Sequence, residues 1–242
     1  MEAKLRVRRY DPSSDGLAQY QLYGVEMPES ATVLDTLLAT RERLDGSLAF
    51  RCACRSAICG SCAMRINGQS RLACKTKVIQ ASPHGRPVTL EPLASLPVLK
   101  DLVADMGPFY DKIRAVVPWL AADPAKRPPV REYLVDAGRS TKLSQFAACI
   151  QCGVCYSACP MVAADDRYLG PAALAKAYRF CHDPRDDAKA ERLSRVAREH
   201  GLWRCHTIFS CQEWCPKGVN PTEAIQNLKK LTMLKRLGFI RE

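Results

Sequence analysis

The sequence predicts an α+β chain in two parts: a small half-open sheet wrapped on one helix over residues 1–106, and an all-α domain over residues 107–242. Three observations predict this division. Strand and hairpin signals crowd the first hundred residues and become scarce beyond about Asp105. Helical periodicity takes over from there. The 13 cysteines fall almost entirely into three tight groups, one in the sheet half and two in the helical half.

The elements follow in order. Leu5 and Val7, alternating with Lys4, Arg6 and Arg8 and reaching toward Tyr10, mark a first strand, and Tyr20–Met27 reads as its hairpin partner. Ser30 or Thr32 is placed to cap a helix with Leu34, Leu37, Leu38 and Leu44 on its apolar face, which Gly46 would end. Asn67-Gly68 between Ala63–Ile66 and Ser70–Cys74 is a two-residue hairpin signal. Val88–Glu91 is a short strand bracketed by Pro87 and Pro92. Pro108, Pro118, Pro124, Pro128 and Pro129 then punctuate a connector, after which Ala172–Phe180, Lys189–Glu199 and Thr222–Arg236 are the clearest helices. Asn220-Pro221 is well suited to start the last of these.

Composition narrows the function. Apolar residues make up 47% and charged residues 25% of 242, which suits a chain that buries a core rather than a disordered or collagen-like one. The longest unbroken apolar stretch, Ala115–Ala122, is far short of a spanning helix, so no transmembrane segment is expected. No apolar signal core follows Met1, and a reducing compartment is therefore the expectation. The net charge of +11 overstates the positive field. Each thiolate-bound cluster of the kind described next would carry roughly −2, and no nucleic-acid recognition motif is present. There is also no glycine-rich dinucleotide loop, P-loop, metalloprotease or nucleophile-elbow motif, so substrate chemistry is expected on a partner.

Cysteine spacing carries the chemistry. Cys54-x4-Cys59-x2-Cys62, followed after eleven intervening residues by Cys74, has the spacing that wraps a [2Fe-2S] cluster with three thiolates from one loop and a fourth from another element, here the strand after Asn67-Gly68. Ala57, Gly60 and Ser61 are small enough to let backbone N–H groups approach the sulfurs. Zinc is the alternative, but its sites usually pair two C-x2-C knuckles and only one is present. Cys149-x2-Cys152-x2-Cys155-x3-Cys159-Pro160 is a bacterial ferredoxin run, in which the fourth cysteine crosses to a second cluster. Its mate, Cys205-x5-Cys211-x3-Cys215-Pro216, lacks the second cysteine and has Ile208 in that place.

Cross-ligation then gives Cys149, Cys152, Cys155 and Cys215 to a [4Fe-4S] cluster. It leaves Cys159, Cys205 and Cys211, three ligands that suit [3Fe-4S]. A four-iron cluster with a non-cysteine ligand at the vacant corner is the alternative, although Ile208 cannot ligate. Cys52 and Cys181 are left as bystanders. Trp203 and Trp214 flank the third group as apolar packing. The basic positions Lys229, Lys230, Lys235, Arg236 and Arg241 read as a solvated helix face, with phosphate headgroups as the alternative.

The stretches Cys54–Gly68, Leu72–Cys74, Pro97–Val103, Cys149–Cys155, Arg204–Cys211 and Cys215–Pro221 together resemble the iron–sulfur subunit of succinate dehydrogenase and fumarate reductase. The resemblance implies an N-terminal plant-type ferredoxin domain of the β-grasp kind, followed by a bacterial-ferredoxin-like helical domain. It implies electrons passing from FAD on a flavoprotein subunit, where succinate becomes fumarate, through the three clusters to a quinone at membrane-anchor subunits, with a haem b there as a further candidate. The complex would lie peripherally on the cytoplasmic face of the cell membrane. Residues near the quinone would be Pro160, Met161, His206 and Ile208, with a hydrogen bond to a carbonyl or propionate as the plainer role for His206. The chain departs from the family where many members carry a tryptophan pair after Cys-Pro: here Met161–Asp166 stands instead, which leaves the quinone type open. Reverse operation as a fumarate reductase, or service as the iron–sulfur module of a soluble flavoprotein oxidoreductase, are the alternatives.

Overall fold

A computed structural model describes all residues except 14, 15, 124, 126–131 and 240–242; Pro124, Pro128, Pro129 and Arg241 thus lie outside the described residues. The chain folds as two compact units. Residues 1–106 together with 150–158 form the first; 107–149 and 159–242 form the second.

In the first unit β1 (Glu2–Arg9) pairs antiparallel with β2 (Gln19–Glu26), Leu5 opposite Tyr23. Alternation decides its faces: Ala3, Leu5 and Val7 are buried to a side chain, while Lys4 and Arg6 are not. α1 (Val33–Arg43) starts at Thr32, which accepts from the Asp35 N–H while the Asp35 carboxylate accepts from the Thr32 N–H, a reciprocal cap worth about 1 kcal/mol. The helix ends before Gly46. Thr40 O accepts from both Leu44 and Asp45, and Leu44, expected on the apolar face, is 55% exposed. Asp45 is held instead by Arg9 and by the Tyr23 hydroxyl at 2.6 Å, which pulls the chain out of the helix early.

β3 (Ala63–Ile66) and β4 (Gln69–Leu72) pair across Asn67-Gly68, whose φ of 50° and 79° are those of a type I′ turn. The second strand stops at Leu72, so Cys74 sits on a 3-10 turn over Ala73–Lys75 and not on the strand. After the short α2 (Val78–Ala81), β5 (Val88–Glu91) inserts between β1 and β3, parallel to the first and antiparallel to the second. The sheet order is β2-β1-β5-β3-β4, with α1 packed on it: a β-grasp core. A small ladder of β6 (Val98–Lys100) and β7 (Val103–Ala104) closes the unit around buried Asp101. That carboxylate accepts from Arg9 Nε and from the N–H groups of Tyr10 and Ala49.

The second unit is helical: α3 (Gly107–Arg114), α4 (Ala137–Ala147), α6 (Pro160–Ala164), α7 (Gly170–Cys181), α8 (Lys189–Val196), α9 (Ser210–Glu213) and α10 (Pro221–Arg236); α5 (Val154–Ser157) belongs to the first unit. α7 is the hub, touching α3, α4, α8 and α10; its alanines at 172, 173, 175 and 177 allow close approach. α8 stops at Val196, short of the expected Glu199. α10 starts at Pro221 with the Asn220 side chain accepting from Glu223 N–H. Arg192 is wholly buried with Asp186, and its guanidinium donates to the carbonyls of Val117 and Trp119, strapping the connector onto α8.

Candidate cluster-binding sites

The loop Cys54–Cys62 is a nest built by local backbone geometry. Arg55, Ala57 and Gly60 have φ of 56°, 55° and 76°, an alternation that turns successive N–H groups toward one centre. Cys54 Sγ accepts from Ser56, Ile58 and Cys59 at 3.2–3.4 Å. Cys59 Sγ accepts from Cys54 N–H at 3.4 Å, Cys74 Sγ from Ala57 at 3.3 Å, and Cys62 Sγ from Cys74 at 3.5 Å. All four expected sulfurs therefore share one hydrogen-bonded shell. Donated bonds favour the anionic form: Ser61 and the Cys54 N–H bring Cys59 down to about 6. Burial acts the other way on Cys62, pushing it up to about 12. A donor set of four thiols with amides aimed at the sulfurs fits a thiolate-held cluster. Cys52 makes no part of this shell.

Gly60 also lies against the next cysteine run. A Cβ there would stand 2.6 Å from Cys152 Cβ, so only glycine lets the first loop and the second run meet inside one unit. Cys152 and Cys155 are in the first unit with that loop; α5 is pinned by Ser157, whose hydroxyl accepts from Ser70 Oγ at 2.8 Å and from Ala94 N–H at 2.7 Å. Cys149 and Cys215 are in the second unit.

The three remaining thiols, Cys159, Cys205 and Cys211, line a single narrow cavity in the second unit. Cys159 precedes α6, where Pro160 is tolerated at the first helical position, and Cys211 lies in α9. Thr207 and Phe209, at φ of 59° and 69°, bend the segment between Cys205 and Cys211. Burial raises the Cys159 and Cys211 thiols, the latter 3.4 Å from Thr222 Oγ1. All four residues expected near a quinone, Pro160, Met161, His206 and Ile208, line the same cavity. Ile208 and the adjacent Phe209 are 51% and 54% exposed at its mouth.

One wall had no signal in the sequence. Tyr168, 1% exposed, lines the cavity with its hydroxyl hydrogen-bonded to Cys205, and burial among the three thiols raises the phenol far above its ordinary value. Nothing in the Asp165–Gly170 stretch has ligand spacing. The basic residues of α10 also differ from a wholly solvated face. Lys229 Nζ donates to the Cys205 carbonyl at 3.0 Å, and Lys235 Nζ to Ala190 O and Ser194 Oγ.

Comparison with known proteins agrees with this arrangement. Residues 4–111 match the model of a 2Fe-2S iron–sulfur cluster binding domain, and 145–219 that of a 4Fe-4S dicluster domain. The chain is 41% identical over 240 residues to the fumarate reductase iron–sulfur subunit of Mycobacterium tuberculosis, covering 97% of this chain and 96% of the relative. It is 41% identical over 230 residues to the mitochondrial succinate dehydrogenase (ubiquinone) iron–sulfur subunit 1 of Oryza sativa, covering 94% and 81%. A chain of the Mycobacterium smegmatis Sdh1 complex in the apo form superposes with a TM-score of 0.87 at 29% identity, over 97% of this chain and 96% of that one.

Proposed function

The chain belongs to the family of succinate dehydrogenase and fumarate reductase iron–sulfur subunits, and from that premise we propose that it carries electrons between a flavoprotein partner bearing FAD and a quinone at a membrane-anchor partner. The working direction is succinate oxidation to fumarate; the names borne by its relatives cover both directions, so fumarate reduction is the second reading. When bound, the iron–sulfur clusters supply one-electron redox chemistry at potentials set by the protein around the sulfurs. Cys54, Cys59, Cys62 and Cys74 would hold [2Fe-2S], Cys149, Cys152, Cys155 and Cys215 [4Fe-4S], and Cys159, Cys205 and Cys211 [3Fe-4S].

One observation carries the reading: a complete four-thiol nest and a separate three-thiol cavity whose fourth place is taken by apolar Ile208. Soluble modules that complete both cysteine runs would have no such gap. The residues around the cavity suit a quinone. Met161, Ile208 and Phe209 would give an apolar ring an apolar surface, and His206 would offer a polar nitrogen beside it. With Met161–Asp166 in place of a tryptophan pair, the indole donor expected after Cys159-Pro160 is missing, so a menaquinone or a haem b at the anchor also fits. Among the described residues no helix is long and apolar enough to cross a membrane, so attachment would be peripheral, through the anchor, on the cytoplasmic face. Exposed Ile208 and Phe209 beside the cavity are the apolar contribution this chain would make there.

Low-temperature EPR of the anaerobically purified complex tests the reading. A three-iron signal when oxidised, replaced by a two-iron signal on adding succinate, is the expected result. Absence of the three-iron signal in fully oxidised, iron-replete protein would overturn it.

A further inference from the structure

We infer that the Tyr168 hydroxyl donates a hydrogen bond to the Cys205 sulfur and thereby sets the reduction potential of the three-cysteine site. The inference rests on the reading of Cys159, Cys205 and Cys211 as ligands. Its geometry is direct: Tyr168 is buried to 1%, shares one cavity with all three thiols, and has Cys205 as its hydroxyl's side-chain partner. The backbone that carries the ring is held on both sides. Tyr168 N–H donates to Asp165 O at 3.1 Å, the next residue's N–H donates to His200 O at 2.9 Å, and Gly170 then opens α7.

The donor's identity follows from chemistry. A cysteine sulfur bound to iron is a thiolate without a proton and can only accept, so the phenol must give its O–H to it. A buried tyrosine hydroxyl needs such a partner. Tyr168 therefore acts as a donor dipole held beside the sulfur. Adding one electron to the site makes its sulfurs more negative, which strengthens the O–H···S bond; the reduced state gains more than the oxidised one, and the potential rises.

The first site is built differently. Its sulfurs take their hydrogen bonds from backbone N–H groups and Ser61, which hold wherever the loop folds. At the three-thiol site the Met161 and Val162 N–H groups serve Cys159 and Thr222 Oγ1 lies against Cys211, whereas Cys205 has the Tyr168 oxygen, an atom that can be removed without touching the backbone. Tyr168 is a positioning and tuning residue; it reaches the electron only through Cys205.

Tyr168→Phe in the full complex removes that oxygen and leaves the ring. In an EPR-monitored redox titration the three-iron midpoint should fall. The reduced-to-oxidised ratio at fixed potential should drop by up to about tenfold, equivalent to ~59 mV for one electron, with the two-iron and four-iron midpoints unmoved. The unsubstituted complex should also show an exchangeable-proton coupling on the oxidised three-iron signal, lost in D2O. An unshifted midpoint in the Phe variant overturns the inference, as does absence of that coupling in the unsubstituted complex should the variant fail to assemble. If the unsubstituted, oxidised complex has no three-iron signal at all, the ligand reading itself falls and takes this inference with it.

Discussion

The four-thiol nest and the three-thiol cavity hold sulfur in different environments. In the nest, Cys59 is exposed, and N–H groups from Cys54, Ser56, Ala57, Ile58 and Cys59 converge on the sulfurs. In the cavity, Cys211 is buried against Thr222 Oγ1, the Met161 and Val162 N–H groups reach Cys159, and burial holds the Cys159 and Cys211 thiols above their ordinary values. Donated bonds favour the thiolate at Cys59 before metal arrives, whereas burial at Cys62, Cys159 and Cys211 favours the thiol until iron displaces the proton. The nest thus takes its donors mainly from the backbone, and the cavity from backbone and side chains together, so substitutions should act on them differently.

The largest effect expected is on the nest. Cys54→Ala removes the sulfur on which three N–H groups converge. The two-iron signal should vanish while the other clusters stay, as iron analysis and EPR would show. Loss of all three would mean that the nest and the cavity are not independent.

Arg192→Met comes next. It leaves the wholly buried Asp186 carboxylate without its cation, at a cost of about 3–5 kcal/mol. Denaturant unfolding should show this, with protection of amides in α8 lost before that in β1. Equal loss in both units would show that they unfold as one.

Ile208→Cys sharpens the contrast instead. It supplies the missing fourth thiolate, so the cavity should convert toward a four-iron site of lower potential; a three-iron signal kept in full would refute the ligand assignment. Smallest is Cys52→Ser, outside the sulfur shell, for which iron content and all EPR signals should be unchanged.

What the sequence made legible was the part encoded by spacing. The cysteine runs, the Asn67-Gly68 turn and the Asn220-Pro221 start of α10 all depend on residues close together in the chain, where backbone geometry leaves few options. Features that depend on distant partners were not legible. Leu44 fits helical spacing, yet Arg9, 35 residues upstream, helps draw Asp45 away and the helix ends first. Cys74 reads as the end of a strand, but Ala73 N–H turns back to the Cys62 carbonyl at 3.1 Å and the strand becomes a 3-10 turn. Tyr168 is one of eight tyrosines and carries no spacing at all; only folding α6 and α7 together with the Cys205 segment puts it beside the sulfurs.

The placement of Ile150–Ala158 has a consequence for biogenesis. Chains leave the ribosome N-terminus first. Residues 1–106 emerge with the nest already encoded, yet Ala94 must wait for Ser157, 63 residues later, to fill its hydrogen bond, and the Gly60 loop must wait for Cys152 to cover it. The N-terminal unit therefore cannot be completed before the chain has been made as far as Ala158, although the whole cysteine loop of the nest has emerged about a hundred residues earlier.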